Sequence, residues 1–485
     1  MSLRERPNLL LIITDQERPP MHWPEGLAEA TMPTRERMLR HGINFKNATC
    51  NSAMCSPSRS TFISGLMPAR HRVVDTLTDD GPFSFTETQL SPELPNFGKM
   101  LKAAGYDVHW RGKWHVTKGA DGTCQPQPAD LEAFGFDGWI APDAGHDTRS
   151  QNFGGGRADY DAAYIEQAVE FLSQRAASPG ESPFCLVVSL VNPHDVLGFP
   201  NDWSDDYDAT ALEGSVQLPE TFNEDLRANL KPTAHAAMAP AIDMAVGALA
   251  TDRDRLKYLN FYANLTAQID RQTGVLLDLL YDEAGEPTQL GRDTVVVRFA
   301  DHGELGLAHG GLRQKAFNVY EETLRVPLIV SNPELFPEAR ETEHPASLVD
   351  LVPTLAALAG TEPPEEHFGT DLSPLLHDPA AGPVQDHVMF TFDDMHAGTG
   401  LVKEILPASG RIRCIRESRF KFARYFHHDG SFPVEYEMYD LQEDPLELHN
   451  LAHPRHPRFN EPTVASERER LRLKLAAAER DLSVI

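Results

Sequence analysis

The chain has 485 residues, 41% of them hydrophobic and 24% charged, with a formal net charge of −28. That length exceeds a minimal domain, and the apolar share supports a real core. The acidic excess argues against nucleic acid or an anionic membrane as a partner, and it requires that any anionic substrate be held by a local cationic site.

In chain order, the first element is the apolar run from Asn8 to Thr14, which ends at Asp15. It is too short for a secretory core, and no small-residue cleavage site follows it. Short apolar runs recur at 106–110 before Arg111, 184–191 before Asn192, 294–300 before Asp301 and 326–330 before Ser331. Continuous β-rich runs of this length suit strands buried on both faces. Amphipathic helical stretches at 94–104, 162–176 and 255–281 lie between them, so an α/β fold with a mostly parallel central sheet flanked by helices is expected. Ligands of such sheets bind beyond the carboxyl ends of the strands, where Asp15, His194 and Asp301 fall.

Residues 197–250 form a long acidic, Pro-containing insertion, readable as a lid or as a peripheral decoration. From about residue 376 the texture changes. Strand-like runs at 411–416 and 420–425 and a charged helix at 464–481 predict a small C-terminal α+β subdomain over 376–485, leaving 1–375 as the larger α/β domain. No run approaches the ~20 apolar residues of a membrane helix. The five cysteines (50, 55, 124, 185 and 414) are scattered, unlike a disulfide framework or a paired zinc motif. A soluble cytoplasmic protein is the expectation, with a homo-oligomer left open.

The stretch Cys55-Ser-Pro-Ser-Arg59 carries the first chemical signal. Ser56 or Ser58 can cap a helix, and Pro57 suits its first turn. A side chain just before that turn faces backbone N–H groups that favour anions. On these residues alone Cys55 reads as a buried hydrophobe, a nucleophile or the precursor of another group. Asp15 is a strand-end carboxylate, and adjacent Asp301 and His302 can both face one ion. Taken singly, Arg59, Lys113 and Lys315 read as solvated surface cations. His115 and His194 are candidate acid–base groups, because imidazole titrates near neutral pH.

Cys55-Ser-Pro-Ser-Arg59, followed by Ser64-Gly65, resembles the signature of the type I sulfatases of the alkaline phosphatase superfamily. Further stretches match that family in order: Thr14-Asp15-Gln16, Gly112-Lys113-Trp114-His115, Asn192-Pro193-His194-Asp195, and Ala300-Asp301-His302-Gly303-Glu304 with His309-Gly310 and Lys315 through Glu322. A late stretch from Tyr439 to Pro445, with Asn450-Leu451, also fits, so the resemblance runs from residue 8 to about 452.

The resemblance implies an alkaline-phosphatase-like fold and hydrolysis of a small anionic sulfate ester. It implies that a formylglycine-generating enzyme oxidises Cys55 to formylglycine, with Pro57 and Arg59 marking the site. Asp15, residue 55, Asp301 and His302 would then hold one divalent metal ion. Hard oxygen ligands favour calcium or magnesium, with calcium first, while the imidazole admits manganese or zinc. Gln16, Lys113, His194 and Lys315 would contact the substrate. The family pattern makes His194 the acid for the departing alkoxide and His115 the group that takes the second hydroxyl proton of the hydrated aldehyde. Trp23, Phe199 and Trp203 are candidates for the leaving-group pocket, and His109, Arg111 and His309 lie close to the motifs.

The common arylsulfatase pattern has two consecutive Asp residues after the first strand and Asp-Asn at the later site. Gln16 and His302 stand in those places here, and they resemble the branch of phosphonate monoester hydrolases and choline sulfatases. A phosphonate monoester or phosphodiester hydrolase is therefore the alternative activity, and a non-catalytic anion-binding relative is the alternative from another class.

Overall fold

The computed structural model describes residues 5–79, 84–145, 160–178, 180, 182–201, 207, 209–378, 380–400 and 402–481. The strands up to residue 347 are β1 (Asn8–Asp15), β2 (Gly42–Phe45), β3 (Ala48–Thr49), β4 (Asp107–Gly112), β5 (Phe184–Pro193), β6 (Thr294–Ala300), β7 (Leu328–Ser331), β8 (Arg340–Thr342) and β9 (Ala346–Ser347). Seven of them form one sheet in the order β4-β5-β1-β6-β7-β2-β8, and β3 pairs with β9. Within the seven, β7 alone runs against the rest. The apolar run at 326–330 thus yields a strand, but a reversed one.

β1 lies between β5 and β6, and all eight of its residues are buried. Alternation splits its side chains between two cores. Leu9, Leu11 and Ile13 pack with Phe62, Phe97, Trp110 and Phe299 on one face. Leu10 and Ile12 pack with Tyr164, Leu172 and Ile269 on the other. Burial of each such side chain contributes about 1.5–3 kcal/mol. Helix α1 (Cys55–Ser64) lies on the first face, and α2 (Tyr160–Ala177) and α4 (Asp252–Leu277) cover the second. Helix α4 starts at a capping box in which Thr251 and Asp254 satisfy each other's backbone N–H.

Strands β10 (Val388–Asp393), β11 (Arg411–Arg416), β12 (Phe420–Phe426) and β13 (Glu435–Asp440) form an antiparallel meander. One face carries Met389, Ile415, Phe422 and Met438 against Leu471 and Leu475 of α5 (Pro462–Asp481). The other face puts Phe390, Phe392 and Ile412 into the core of the large sheet. Asn51, four residues before Cys55, joins the two: its side chain bonds Met389 O and Val349 N at 2.9 Å each, and its carbonyl accepts from Thr391 N.

The 197–250 insertion is a tie where it is described. Helix α3 (Thr233–Val246) presents His235 between Tyr320 Oη and Tyr425 Oη, 3.0 Å from each. Lys231 reaches Tyr439 Oη at 3.1 Å and Glu224 at 3.2 Å. These buried polar contacts clamp the segment to the C-terminal sheet and to the loop after β6. Among the described residues, no helix is long and apolar enough to cross a membrane.

Candidate active site

Three parallel strands end at one place. β1 ends in Asp15, β5 runs into His194, and β6 is followed by Asp301 and His302. Gly112 at the end of β4 has φ 89°, and a Cβ there would meet Ser189 O at 2.0 Å, so the chain turns toward this point only with glycine. Cys55 itself opens α1, with Met54 as its N-cap. The serines expected to cap that helix do other work. Ser56 Oγ accepts from Leu77 N at 3.0 Å, and Ser58 Oγ donates to the Asp301 carbonyl.

Cys55 Sγ lies 3.6 Å from Asp15 Oδ1 and 3.3 Å from His302 Nε2. His302 Nε2 is 3.9 Å from Asp15 Oδ1 and 3.7 Å from Asp301 Oδ1. One donor atom from each of Asp15, Cys55, Asp301 and His302 falls within 4.8 Å of the others, and all four residues are buried. That spread fits ligands around one ion at 2.3–2.6 Å. His302 Nδ1 faces Gly303 O at 3.1 Å, and a carbonyl can only accept. The proton therefore sits on Nδ1 and the Nε2 lone pair faces the group, the arrangement a metal ligand requires. Burial, then Lys315, holds this ring near a pKa of about 3, hence neutral. Burial and then the Asp15 charge push the Cys55 thiol up to about 11.

Two buried carboxylates this close repel unless a cation binds both. Arg59 does so, with Nε 3.0 Å from Asp301 Oδ2 and Nη2 3.0 Å from Asp15 Oδ2. Its Nη1 goes to Ser189 Oγ at 2.8 Å. Arg59 thus fixes the two carboxylates. Lys113 Nζ adds a second ion pair to Asp15 Oδ2 at 2.7 Å. Burial alone would raise Asp15, but Lys113 and then Arg59 hold it well below the carboxylate range. Burial and the Asp15 charge raise its partner Asp301.

The remaining candidates surround this group. His115 has φ 57°, and its backbone N–H and that of Trp114 donate to Asp143 at 2.8 and 2.9 Å. Its Nε2 bonds Leu77 O at 2.8 Å, so Nε2 carries the proton and Nδ1 is the basic nitrogen. His194 is buried, and among the described residues its Nδ1 has no hydrogen-bond partner. Burial, then Lys113, hold it well below the ordinary imidazole value. Gln16 has φ 66°; its Nε2 donates to Glu304 at 2.6 Å and its Oε1 accepts from Lys315 Nζ at 2.6 Å. Its carboxamide is engaged with protein partners, which makes it a bridge to Lys315.

Sequence reasoning assigned no role to Ser189, Asp143 or Glu304. Glu304 stood inside a recognised motif, but Asp143, in Ala141-Pro-Asp-Ala144, carries no local signal. Of the other candidates, Phe199 is buried with Val196 and Tyr258, and Trp23 packs against the same cluster. Trp203 lies outside the described residues. His109 is paired with Asp107 at 2.7 Å. His309 belongs to a second buried network, 2.7 Å from Glu224 and 3.3 Å from Glu322. All five cysteines are buried free thiols.

Residues 7–361 match the sulfatase family, and residues 309–475 match the C-terminal region of N-sulphoglucosamine sulphohydrolase. The chain belongs to the sulfatase family. It is 25% identical over 452 residues to a Delta 4,5-hexuronate-2-O-sulfatase of Bacteroides thetaiotaomicron, covering 93% of this chain and 85% of that one. It is 27% identical over 480 residues to a choline-sulfatase of Rhizobium meliloti, covering 93% and 84%. The solved phosphonate monoester hydrolase of Agrobacterium radiobacter superposes with a TM-score of 0.69 at 21% identity, over 98% of this chain and 96% of that one. That likeness establishes the shared alkaline-phosphatase-like fold of this sulfatase-family chain.

Proposed function

We propose that this chain hydrolyses a sulfate ester to an alcohol and inorganic sulfate at the Asp15–Cys55–Asp301–His302 group. The observation that carries the reading is the position of Cys55. The cysteine of the Cys-x-Pro-x-Arg stretch lies within contact of two other candidate metal ligands, under the buried cations Arg59, Lys113 and Lys315. The reading includes oxidation of Cys55 to formylglycine, whose hydrate supplies the nucleophilic oxygen. Asp15, Asp301, His302 and residue 55 would hold one divalent cation, calcium first, with manganese and magnesium as the ions to compare. When bound, that cation supplies positive charge that acidifies a neighbouring hydroxyl and draws in sulfate oxygens.

The chain's own residues do the rest. Arg59 binds Asp15 and Asp301 together and offsets their mutual repulsion. Lys113 and Lys315 offset charge on the transferring group inside a water-poor site, against the net charge of the protein. His115, with its proton fixed on Nε2 by Leu77, receives a proton at Nδ1. His194 is held neutral at rest, so the proton it gives to the leaving oxygen has to be taken up together with the anionic ester.

The test is a substrate panel of 4-nitrophenyl sulfate, a 4-nitrophenyl phosphonate monoester and bis(4-nitrophenyl) phosphate, run with each metal. A higher kcat/KM for the sulfate ester is expected. A higher value for either phosphorus ester would replace this reading with the phosphonate or phosphodiester one, which Gln16 and His302 favour. A peptide mass across residue 55 checks the oxidation.

A further inference from the structure

We infer that Glu304 is a positioning residue for this site: it fixes the orientation of the Gln16 carboxamide and through it aims the Lys315 ammonium. The inference rests on the proposed anionic-ester site and adds a residue to it. Glu304 is fully buried, and among the described residues its carboxylate makes no ion pair. It is held by donors alone. Oε1 accepts from Tyr258 Oη at 2.7 Å, Gln314 N at 2.9 Å and Gly306 N at 3.1 Å, while Oε2 accepts from Gln16 Nε2 at 2.6 Å.

A primary amide has one accepting end and one donating end, and a misplaced amide is usually free to turn over. Gln16 is not free. A carboxylate only accepts, so the Gln16 amino group must face Glu304. An ammonium only donates, so the Gln16 oxygen must face Lys315, which it meets at 2.6 Å. The backbone is pinned as well. Gln16 N donates to Asp301 Oδ1 at 3.0 Å, and Gln16 O accepts from Tyr262 Oη at 2.8 Å, with φ in the left-handed region. Each link in Glu304–Gln16–Lys315 therefore has a donor–acceptor sense set by its neighbour.

Glu304→Gln tests this with almost no change of shape. Three donors claim the Oε1 side, so the new carbonyl oxygen goes there and the new amino group opposes that of Gln16. Gln16 then turns over and presents its amino group to Lys315. Outright loss of the bridge in Gln16→Met should have the same consequence. Gln16→Glu combined with Glu304→Gln restores the pattern: a carboxylate at 16 accepts from the amide at 304 and from Lys315. A merely structural role for Glu304 gives no reason for that rescue.

The variants are compared by kcat and KM on whichever ester the wild type turns over, and by calorimetric binding of inorganic sulfate and phenylphosphonate. A failure of the sulfatase reading then appears in the wild type's preference, and a failure of this inference in the variants. Glu304→Gln and Gln16→Met should each lower kcat and anion affinity by about 10–100-fold, the usual cost of losing a residue that orients a functional group. The paired exchange should recover most of that loss. Wild-type kcat and anion binding in Gln16→Met, or a paired exchange no better than Glu304→Gln, would overturn the inference. If Glu304→Gln does not fold, Gln16→Met decides alone.

Discussion

Two buried ionic groups in this molecule use similar residues to different ends. Around Asp15 and Asp301 stand Arg59, Lys113 and Lys315, with a neutral imidazole, His302, turned toward the thiol of Cys55. Where the loop after β6 meets the C-terminal sheet, Glu321 bonds Arg416 at 2.7 Å and Lys421 at 3.1 Å. Glu447 pairs with the same Lys421, and Glu322 pairs with His22 and His309. In the second group each of these carboxylates meets a cation inside the protein, which lowers Glu321 and Glu322 against the effect of burial, while burial and the Glu321 charge raise Glu447. In the first group the acidic and basic groups converge on a point that the neutral side chains face. A buried ionic cluster with internal partners holds elements together, whereas one whose donors and charges converge is suited to a ligand.

The largest test of that contrast is Cys55→Ala. Turnover should fall by about 10⁴-fold or more, as for loss of a nucleophile elsewhere, while the melting temperature stays within a few degrees. Near wild-type activity in the purified variant would end the reading of position 55. The mirror experiment is Glu321→Ala, which strands Arg416 and Lys421 in a buried site. Chemical denaturation should show a loss of about 3–5 kcal/mol, with kcat of the folded fraction within about threefold. Lost activity at unchanged stability would collapse the distinction between the two groups.

A third test uses pH. His309 is raised from 6.5 to about 9 by Glu322 and Glu224, against the opposing effect of burial. A raised folded-state value contributes stability that is complete below about pH 6.5 and is lost as pH rises through about 9. That slope should amount to about 3 kcal/mol and should flatten in His309→Gln, as read by denaturation at pH 6, 7.5 and 9. The smallest effect separates the two candidate acid–base imidazoles. His194→Ala should slow alkyl sulfates about 100-fold more than aryl sulfates, roughly 2.7 kcal/mol of barrier, because good leaving groups need little protonation. Equal slowing of both would remove His194 from the leaving oxygen.

Much of the site was legible because its residues sit at the ends of apolar runs. Asp15, His194 and Asp301 could be placed at strand ends from hydrophobicity alone, and the resemblance added Cys55, Lys113, His115 and Lys315. The supporting contacts are non-local and left no pattern. Asp143 caps the Lys113–His115 turn from 28 residues away, and Arg59 meets Asp301 across 242. Strand β13, Glu-Tyr-Glu-Met-Tyr-Asp, carries no plain strand signal because its central Glu437 is buried against the Tyr425 and Tyr439 hydroxyls and not in solvent. The reversal of β7 depends on pairing partners that local composition does not encode.

The burial of α1 sets a schedule for making the protein. Every residue from Cys55 to Ser64 is buried, Pro57 and Arg59 included. The chain that covers them, Asp301 and His302 first and then the β10 strand tied to Asn51, lies far downstream. At 5–20 residues per second, the ribosome needs on the order of 10–50 s to travel the roughly 250 residues from 55 to 301. During that interval residue 55 has left the ribosome without the partners that enclose it. Any enzyme that alters the cysteine has that window in which to reach it, and the folded protein then keeps whatever side chain it was given.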